Sequence, residues 1–301
     1  MTTQKNKGVL LFAKNNKDFN YIKQAKVSAT LAKHFLNVPV ALVTPVDELD
    51  ENVDLFDHVI DWKEQAEEIN KRPMYKDGKF TIVNWHNLDR LTAYDISPFE
   101  ETLLIDSDYL IQNSVLNAVW GSKKPMLMNT HTRIPAKHQQ HIYELVIEDG
   151  FSKVHWFTVC YFRKCKETEH WFNVARYVKE NYEFYKKTFR VPYGYYRNDI
   201  TAAIASHIVG GFRDDCIGPL PTRQINSFNS ESILDIGVGK IVLNTDTIPV
   251  LLKDTNVHLL NKADYEKYYD KFMELYSWVK GILRLHNSVK SSGTILEWHM
   301  R

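Results

Sequence analysis

The chain has 301 residues, 44% of them hydrophobic and 25% charged, with 12 Gly and 10 Pro. That is enough for one large domain or two small ones, and it excludes collagen-like, low-complexity and wholly disordered classes. Net charge is +1, but residues 41–110 carry 6 Lys and Arg against 17 Asp and Glu, and residues 121–200 carry 14 against 8. An acidic front asks for a cation and a basic middle for an anion.

The opening run Gly8-Val-Leu-Leu-Phe-Ala13 reads as a buried parallel strand. After a polar loop, Tyr21, Ile22, Ala25, Ala29, Leu31, Ala32 and Phe35 recur at helical spacing. Asn37 to Thr44 predicts a second strand, with Pro39 at its start. His58-Val-Ile-Asp61 predicts a short third strand, 85–94 a helix, and Glu101-Thr-Leu-Leu-Ile-Asp106 another strand. Further strands are expected at 125–128, 156–162, 241–243 and 257–260. Helices are expected at 167–184, at 199–209 before Gly210-Gly211, and at 263–285, with a loose tail behind. Strands alternating with helices imply an α/β fold with a mostly parallel sheet covered on both faces.

No apolar run approaches the ~20 residues of a membrane span. Three cysteines, Cys160, Cys165 and Cys216, supply neither a disulfide framework nor a four-cysteine zinc site. A cytoplasmic protein with no membrane partner is the expectation.

The sharpest local feature is Leu103-Leu-Ile-Asp-Ser-Asp108. Side chains alternate along a strand, so Asp106 and Asp108 point the same way at the exit of a buried strand, where parallel sheets bind ligands. Two such carboxylates repel unless a cation joins them, and hard oxygen donors suit Mn²⁺ or Mg²⁺. Position, more than the Asp-x-Asp triplet, carries that signal.

The 19 residues Arg90-Leu-Thr-Ala-Tyr-Asp-Ile-Ser-Pro-Phe-Glu-Glu-Thr-Leu-Leu-Ile-Asp-Ser-Asp108 resemble the nucleotide-sugar glycosyltransferases of the GT-A fold. The pattern is that of family 8, the glycogenin and galactosyltransferase type: a basic residue, Leu, a central aromatic and Asp-x-Asp. Arg90 stands where that family commonly has Lys, and Tyr94 where it has Trp. The likeness covers about the first 110 residues well. It implies a single GT-A (Rossmann-like) domain over 1–301, a mostly parallel mixed sheet flanked by helices. Residues 1–120 would form the nucleotide-sugar half, 121–262 the acceptor half, and 263–301 a C-terminal helix and tail.

The resemblance also implies roles. Asp106 and Asp108 would hold the metal, with Ser107 between them in the donor site. Arg90 would lie near the phosphates, where a forked guanidinium suits phosphate oxygens. Ala13, Lys14 and Asn15 would lie near the nucleoside. In Asn256-Val-His-Leu-Leu-Asn-Lys262, His258 would be the third metal ligand and Lys262 a phosphate ligand, although the family's Gly between them is absent. Asp199, in Tyr195-Tyr-Arg-Asn-Asp-Ile-Thr-Ala-Ala203, would join Asp108 as a catalytic residue, orienting the acceptor hydroxyl or accepting its proton. Asp199 reads equally well as a helix-capping carboxylate. The family's Asp-Gln is Asn198-Asp199 here, and Trp156-Phe-Thr-Val159 replaces its Asn-Ser-Gly.

Residues 151–200 hold 15 Phe, Trp or Tyr and 10 Lys or Arg. Cations neutralise phosphates and exposed rings stack on bases, while Trp171, Phe172 and Tyr182 follow a helical pattern and read as core. Three classes stand on the residues: a metal-dependent glycosyltransferase, a nucleotidyltransferase, and a non-enzymatic nucleic-acid-binding module. The segment Tyr196-Arg-Asn-Asp-Ile-Thr-Ala-Ala-Ile-Ala205 is similar to phage-type glycosyltransferases. That resemblance implies a UDP-sugar donor and, as acceptor, a hydroxymethylated base such as 5-hydroxymethylcytosine in DNA, against polysaccharide, protein or small-molecule acceptors.

Overall fold

The structure is a computed structural model, described over residues 6–277 except 50–52, 63–68, 77–78, 87–89, 136–142, 145–152, 193–194, 214–215, 228–230 and 246–247. The front half is a strand–helix–strand unit. It comprises β1 (Lys7–Phe12), α1 (Tyr21–Leu36), β2 (Val40–Thr44) and β3 (His58–Asp61). Asn20 opens α1 by accepting the Lys23 amide at 2.8 Å, and Asn37 closes it in the left-handed region at φ 51°. A hairpin follows, β4 (Ile69–Lys76) and β5 (Lys79–His86), then the short α2 (Ala93–Ile96), β6 (Glu101–Asp106) and β7 (Tyr109–Leu110).

The back half begins with β8 (Met126–Asn129), β9 (His131–Arg133), β10 (Tyr143–Glu144) and β11 (Trp156–Arg163). Helices α3 (Lys166–Glu180), α4 (Tyr182–Thr188) and α5 (Asn198–Val209) come next. After β12 (Gln224–Ile225) a small antiparallel sheet forms from β13 (Ser232–Gly237), β14 (Lys240–Asn244) and β15 (Pro249–Lys253). The two-residue β16 (Val257–His258) and α6 (Lys262–Leu275) end the described chain.

The central sheet has the order β3-β2-β1-β6-β11-β8. Its first four strands are parallel, and β11 runs antiparallel to both β6 and β8. It is therefore the mostly parallel, mixed sheet expected, flanked by helices. Val9, Leu11, Leu103 and Ile105 face the α1 and α6 side, whereas Leu10, Leu104, Cys160 and Phe162 face α3 and α5. Both faces of β1 and β6 are thus covered, which is why they read as continuous apolar runs.

Three expectations are corrected. Among the described residues, the helix predicted over 85–94 is not formed before Ala93. Residues 85 and 86 belong to β5, whose partner β4 supplies a full antiparallel register, and Arg90 to Thr92 form a single 3₁₀ turn before α2. The helix predicted over 167–184 breaks at Asn181. Asn181 leaves the helical region at φ −109° and ψ 30°, and its Nδ2 donates to the Tyr177 carbonyl at 2.9 Å beside its own amide at 3.1 Å. The strand predicted over 257–260 is only β16, whereas the helix predicted from residue 263 is present as α6. Its remaining predicted turns and the tail lie outside the described residues.

Candidate functional site

The β6 strand ends on Asp106, and the chain turns through Ser107 and Asp108 into β7. Ser28 on α1 fixes that turn: its Oγ donates to the carbonyls of Ser107 at 2.7 Å and Tyr109 at 3.1 Å. β7 then pairs antiparallel with β16, setting His258 opposite Tyr109, and the Leu259 amide donates to the Asp108 carbonyl at 3.0 Å. A two-residue pairing thereby brings a histidine 150 positions away onto the carboxylate pair.

His258 Nε2 lies 3.1 Å from Asp108 Oδ1 and 3.9 Å from Asp106 Oδ2. The three potential ligand atoms lie within 4.8 Å of one another. Asp108 is almost wholly buried and Asp106 about a third exposed, so the cluster opens on the Asp106 side. Burial pushes the His258 pKa below its ordinary value of 6.5, against the pull of Asp106 and Asp199. Two carboxylates and a neutral imidazole make a donor set that fits a divalent ion of the Mn²⁺ or Mg²⁺ kind.

Two cations complete the cluster. The buried Arg90 donates through Nη1 to Asp106 Oδ1, and its guanidinium lies 5.2 Å from the centre of the Phe157 ring. Lys262, at the start of α6, places Nζ against Asp108 Oδ2 and 5.9 Å from the Tyr21 ring. Helix α6 is held on α1, where Glu266 accepts the Asn20 amide at 2.8 Å. Arg90 is thus a packed, paired residue and not a solvated one.

The other predicted residues fall as follows. Ser107 is buried in the turn between the two Asp. Ala13 continues β1 and donates its amide to the Val43 carbonyl at 3.0 Å. Asn15 accepts the Ile22 amide at 3.1 Å and donates its own amide to Glu48 at 2.7 Å, so its side chain is engaged in scaffolding α1. Lys14 follows on the same loop and is half-buried. Asp199 sits in the first turn of α5, where Oδ1 accepts the Phe157 amide at 2.9 Å and Oδ2 accepts from Arg197 at 2.8 Å. It ties α5 to β11, and it lies near enough to His258 to raise that ring's basicity.

Sequence reasoning missed Asn226 and Gln224. Neither belongs to a pattern, and only the pairing of residue 226 with His258 brings them in. The ring-rich segment 151–200 is mostly core: Phe157, Tyr161, Phe162, Trp171, Phe172, Tyr182 and Phe189 are buried. Tyr177 on α3 and Phe184 on α4 are exposed. Among the described residues no helix is long and apolar enough to cross a membrane.

No protein-family model matches the chain, and no curated protein matches it. Partial structural likenesses exist. The glycosyltransferase GlyE of Streptococcus pneumoniae TIGR4 aligns at 13% identity and a TM-score of 0.39, over 72% of this chain. The chain spans only 45% of GlyE's length. The galactosyltransferase LgtC, in a structure with donor and acceptor sugar analogues, aligns at 11% identity and a TM-score of 0.38, over 64% of this chain and 69% of LgtC.

Proposed function

We propose that the chain is a metal-dependent glycosyltransferase of GT-A type that moves a sugar from a nucleotide-sugar, a UDP-sugar first, to an acceptor hydroxyl. One observation carries the reading: Asp106, Asp108 and His258 converge at the end of a parallel strand beside two cationic side chains. In this reading the three residues hold a divalent ion, Mn²⁺ or Mg²⁺. Bound there, the ion would offset the charge that develops on the diphosphate as the glycosidic bond breaks.

Arg90 and Lys262 then turn from the carboxylates to the phosphate oxygens. The charge balance is kept in both states, since the two cations match two carboxylates in one and a diphosphate in the other. Ala13, Lys14, Asn15 and Ser107 line the donor side. The acceptor oxygen attacks the anomeric carbon, the nucleoside diphosphate leaves, and the acceptor proton passes to a base. Asp199, in the first turn of α5, orients that hydroxyl.

The acceptor put first is a hydroxymethylated cytosine in DNA. It is supported by the positive balance of residues 121–200 and by exposed Phe184 and Lys187 on α4. A base in duplex would have to be flipped out to be reached. Residues 1–120 would hold the donor, 121–262 the acceptor, and the C-terminal part from 263 would brace them, in one domain.

Asp108→Asn tests the reading. Transfer and donor hydrolysis should vanish while the protein still folds, and excess EDTA should abolish the wild type's activity in the same way. Full activity in EDTA contradicts the reading.

A further inference from the structure

His258 is held from the side away from the carboxylates. Its Nδ1 lies 3.2 Å from Asn226 Oδ1, and that oxygen accepts a hydrogen bond from Gln224 Nε2 at 2.9 Å. Gln224 is fully buried and Asn226 nearly so, which leaves water little access to compete for these atoms. The main chain holds the same register: the Asn226 amide donates to the Arg133 carbonyl at 2.9 Å, and the Ser227 amide to the His258 carbonyl at 3.0 Å.

An amide nitrogen of Gln donates and never accepts, so the Asn226 atom that meets it is the carbonyl oxygen. That oxygen only accepts, so the His258 nitrogen beside it carries the ring's proton. An imidazole that ligates a cation keeps one N–H, and with that proton on Nδ1 the ligating lone pair is on Nε2. This lone pair faces Asp108 Oδ1 at 3.1 Å and Asp106 Oδ2 at 3.9 Å. Lone pair against carboxylate is repulsive in isolation, and a cation placed among the three atoms makes every contact attractive. Histidines that bind metals are commonly oriented in this way, by a partner on the nitrogen that does not bind.

We propose that Asn226, locked in turn by Gln224, is a positioning residue: it fixes the His258 proton on Nδ1 and keeps Nε2 open toward a cation held with Asp106 and Asp108. The proposal rests on the metal reading above, and the proton's place on the ring and the affinity of the site for the ion are measured separately.

The test has two readouts, neither of them activity. In the first, ¹⁵N-histidine NMR of the Mg²⁺-saturated wild type should find the His258 proton on Nδ1. A proton on Nε2, donated to Asp108, overturns the proposal. In the second, Mn²⁺ titrations followed by electron paramagnetic resonance compare four folded proteins: wild type, Asn226→Ala, Asn226→Asp and Asp108→Asn. Loss of the orienting partner should weaken Mn²⁺ binding by roughly 10- to 100-fold in Asn226→Ala. Asn226→Asp, whose carboxylate accepts the same hydrogen bond, should bind nearly as the wild type does. Asn226→Ala binding as tightly as the wild type overturns the positioning role and leaves the metal site standing. A wild type no tighter than Asp108→Asn removes the metal reading and the proposal with it.

Discussion

Lys262 and Arg90 each set a cation on one of the two carboxylates that face His258. Asp108 is almost wholly buried, so its charge depends on Lys262 while no ion is bound. Lys262→Gln should therefore destabilise the metal-free protein by roughly 3–5 kcal/mol, the usual cost of stripping one partner from a buried pair. Mn²⁺ should restore most of that loss, because an ion that binds only the folded state raises its stability. Thermal unfolding of both proteins with and without Mn²⁺ measures this. An equal deficit in both conditions would mean that Lys262 is a plain structural ion pair.

At this scale the sequence was informative wherever chemistry and position coincided. Asp106 and Asp108 end an apolar strand, and two acids in such a place have few other uses. His258 and Lys262 came from a family pattern. Asn226 and Gln224 were invisible, because isolated amides carry no spacing signal and their meaning arises only from a pairing between distant segments.

Between elements, the joints are side chains on main-chain groups. Glu101, buried at the head of β6, accepts the Tyr161 hydroxyl of β11 at 2.7 Å and the Gly121 amide at 2.9 Å. Tyr161→Phe leaves that carboxylate short of one donor. A hydrogen bond to a charged group contributes about 1.5–3 kcal/mol, and stability to denaturant should fall by that amount while Mn²⁺ affinity stays unchanged. A matching fall in Mn²⁺ affinity would mean that the β6–β11 joint also shapes the site. Arg163 and Lys164, at the end of β11, are joints of the same kind, donating to the carbonyls of Ser122 at 3.0 Å and Ser97 at 2.8 Å. Their charges are used inside the fold.

The strands of the central sheet were legible because burial on both faces leaves an unbroken apolar run. The β4–β5 hairpin was not. Its residues Lys79 to His86 mix polar and apolar types in a way that fits either period, and antiparallel pairing with β4 decides the matter. The break at Asn181 was likewise hidden, since apolar spacing continues across it and only the backbone angles of one residue change.

Over the whole molecule, the acidic front and the basic middle divide the charge. The acidic excess supplies the Asp pair, and part of the basic excess is spent in joints such as Arg163 and Lys164. What remains on the surface includes Lys187, with exposed Phe184 on the same helix. If DNA is the acceptor, replacing Lys186 and Lys187 with Gln should reduce the salt slope of DNA binding by about two units, one for each phosphate no longer neutralised. Metal binding and donor hydrolysis should not change. A salt slope equal to the wild type's would turn the search toward uncharged acceptors.

If the proposed function holds, donor and ion bind together, because Arg90 and Lys262 can turn to the phosphates only when something else balances Asp106 and Asp108. Calorimetric titration of UDP into the wild type, with Mn²⁺ present and with it chelated, reads that coupling directly. Affinity should rise by roughly tenfold or more with Mn²⁺, the scale of an ordinary coupling between two ligands, and the rise should vanish in Asp108→Asn. UDP bound equally well with and without Mn²⁺, or not at all, would show that the cluster of Asp106, Asp108 and His258 is a buried ion-pair network and no donor site.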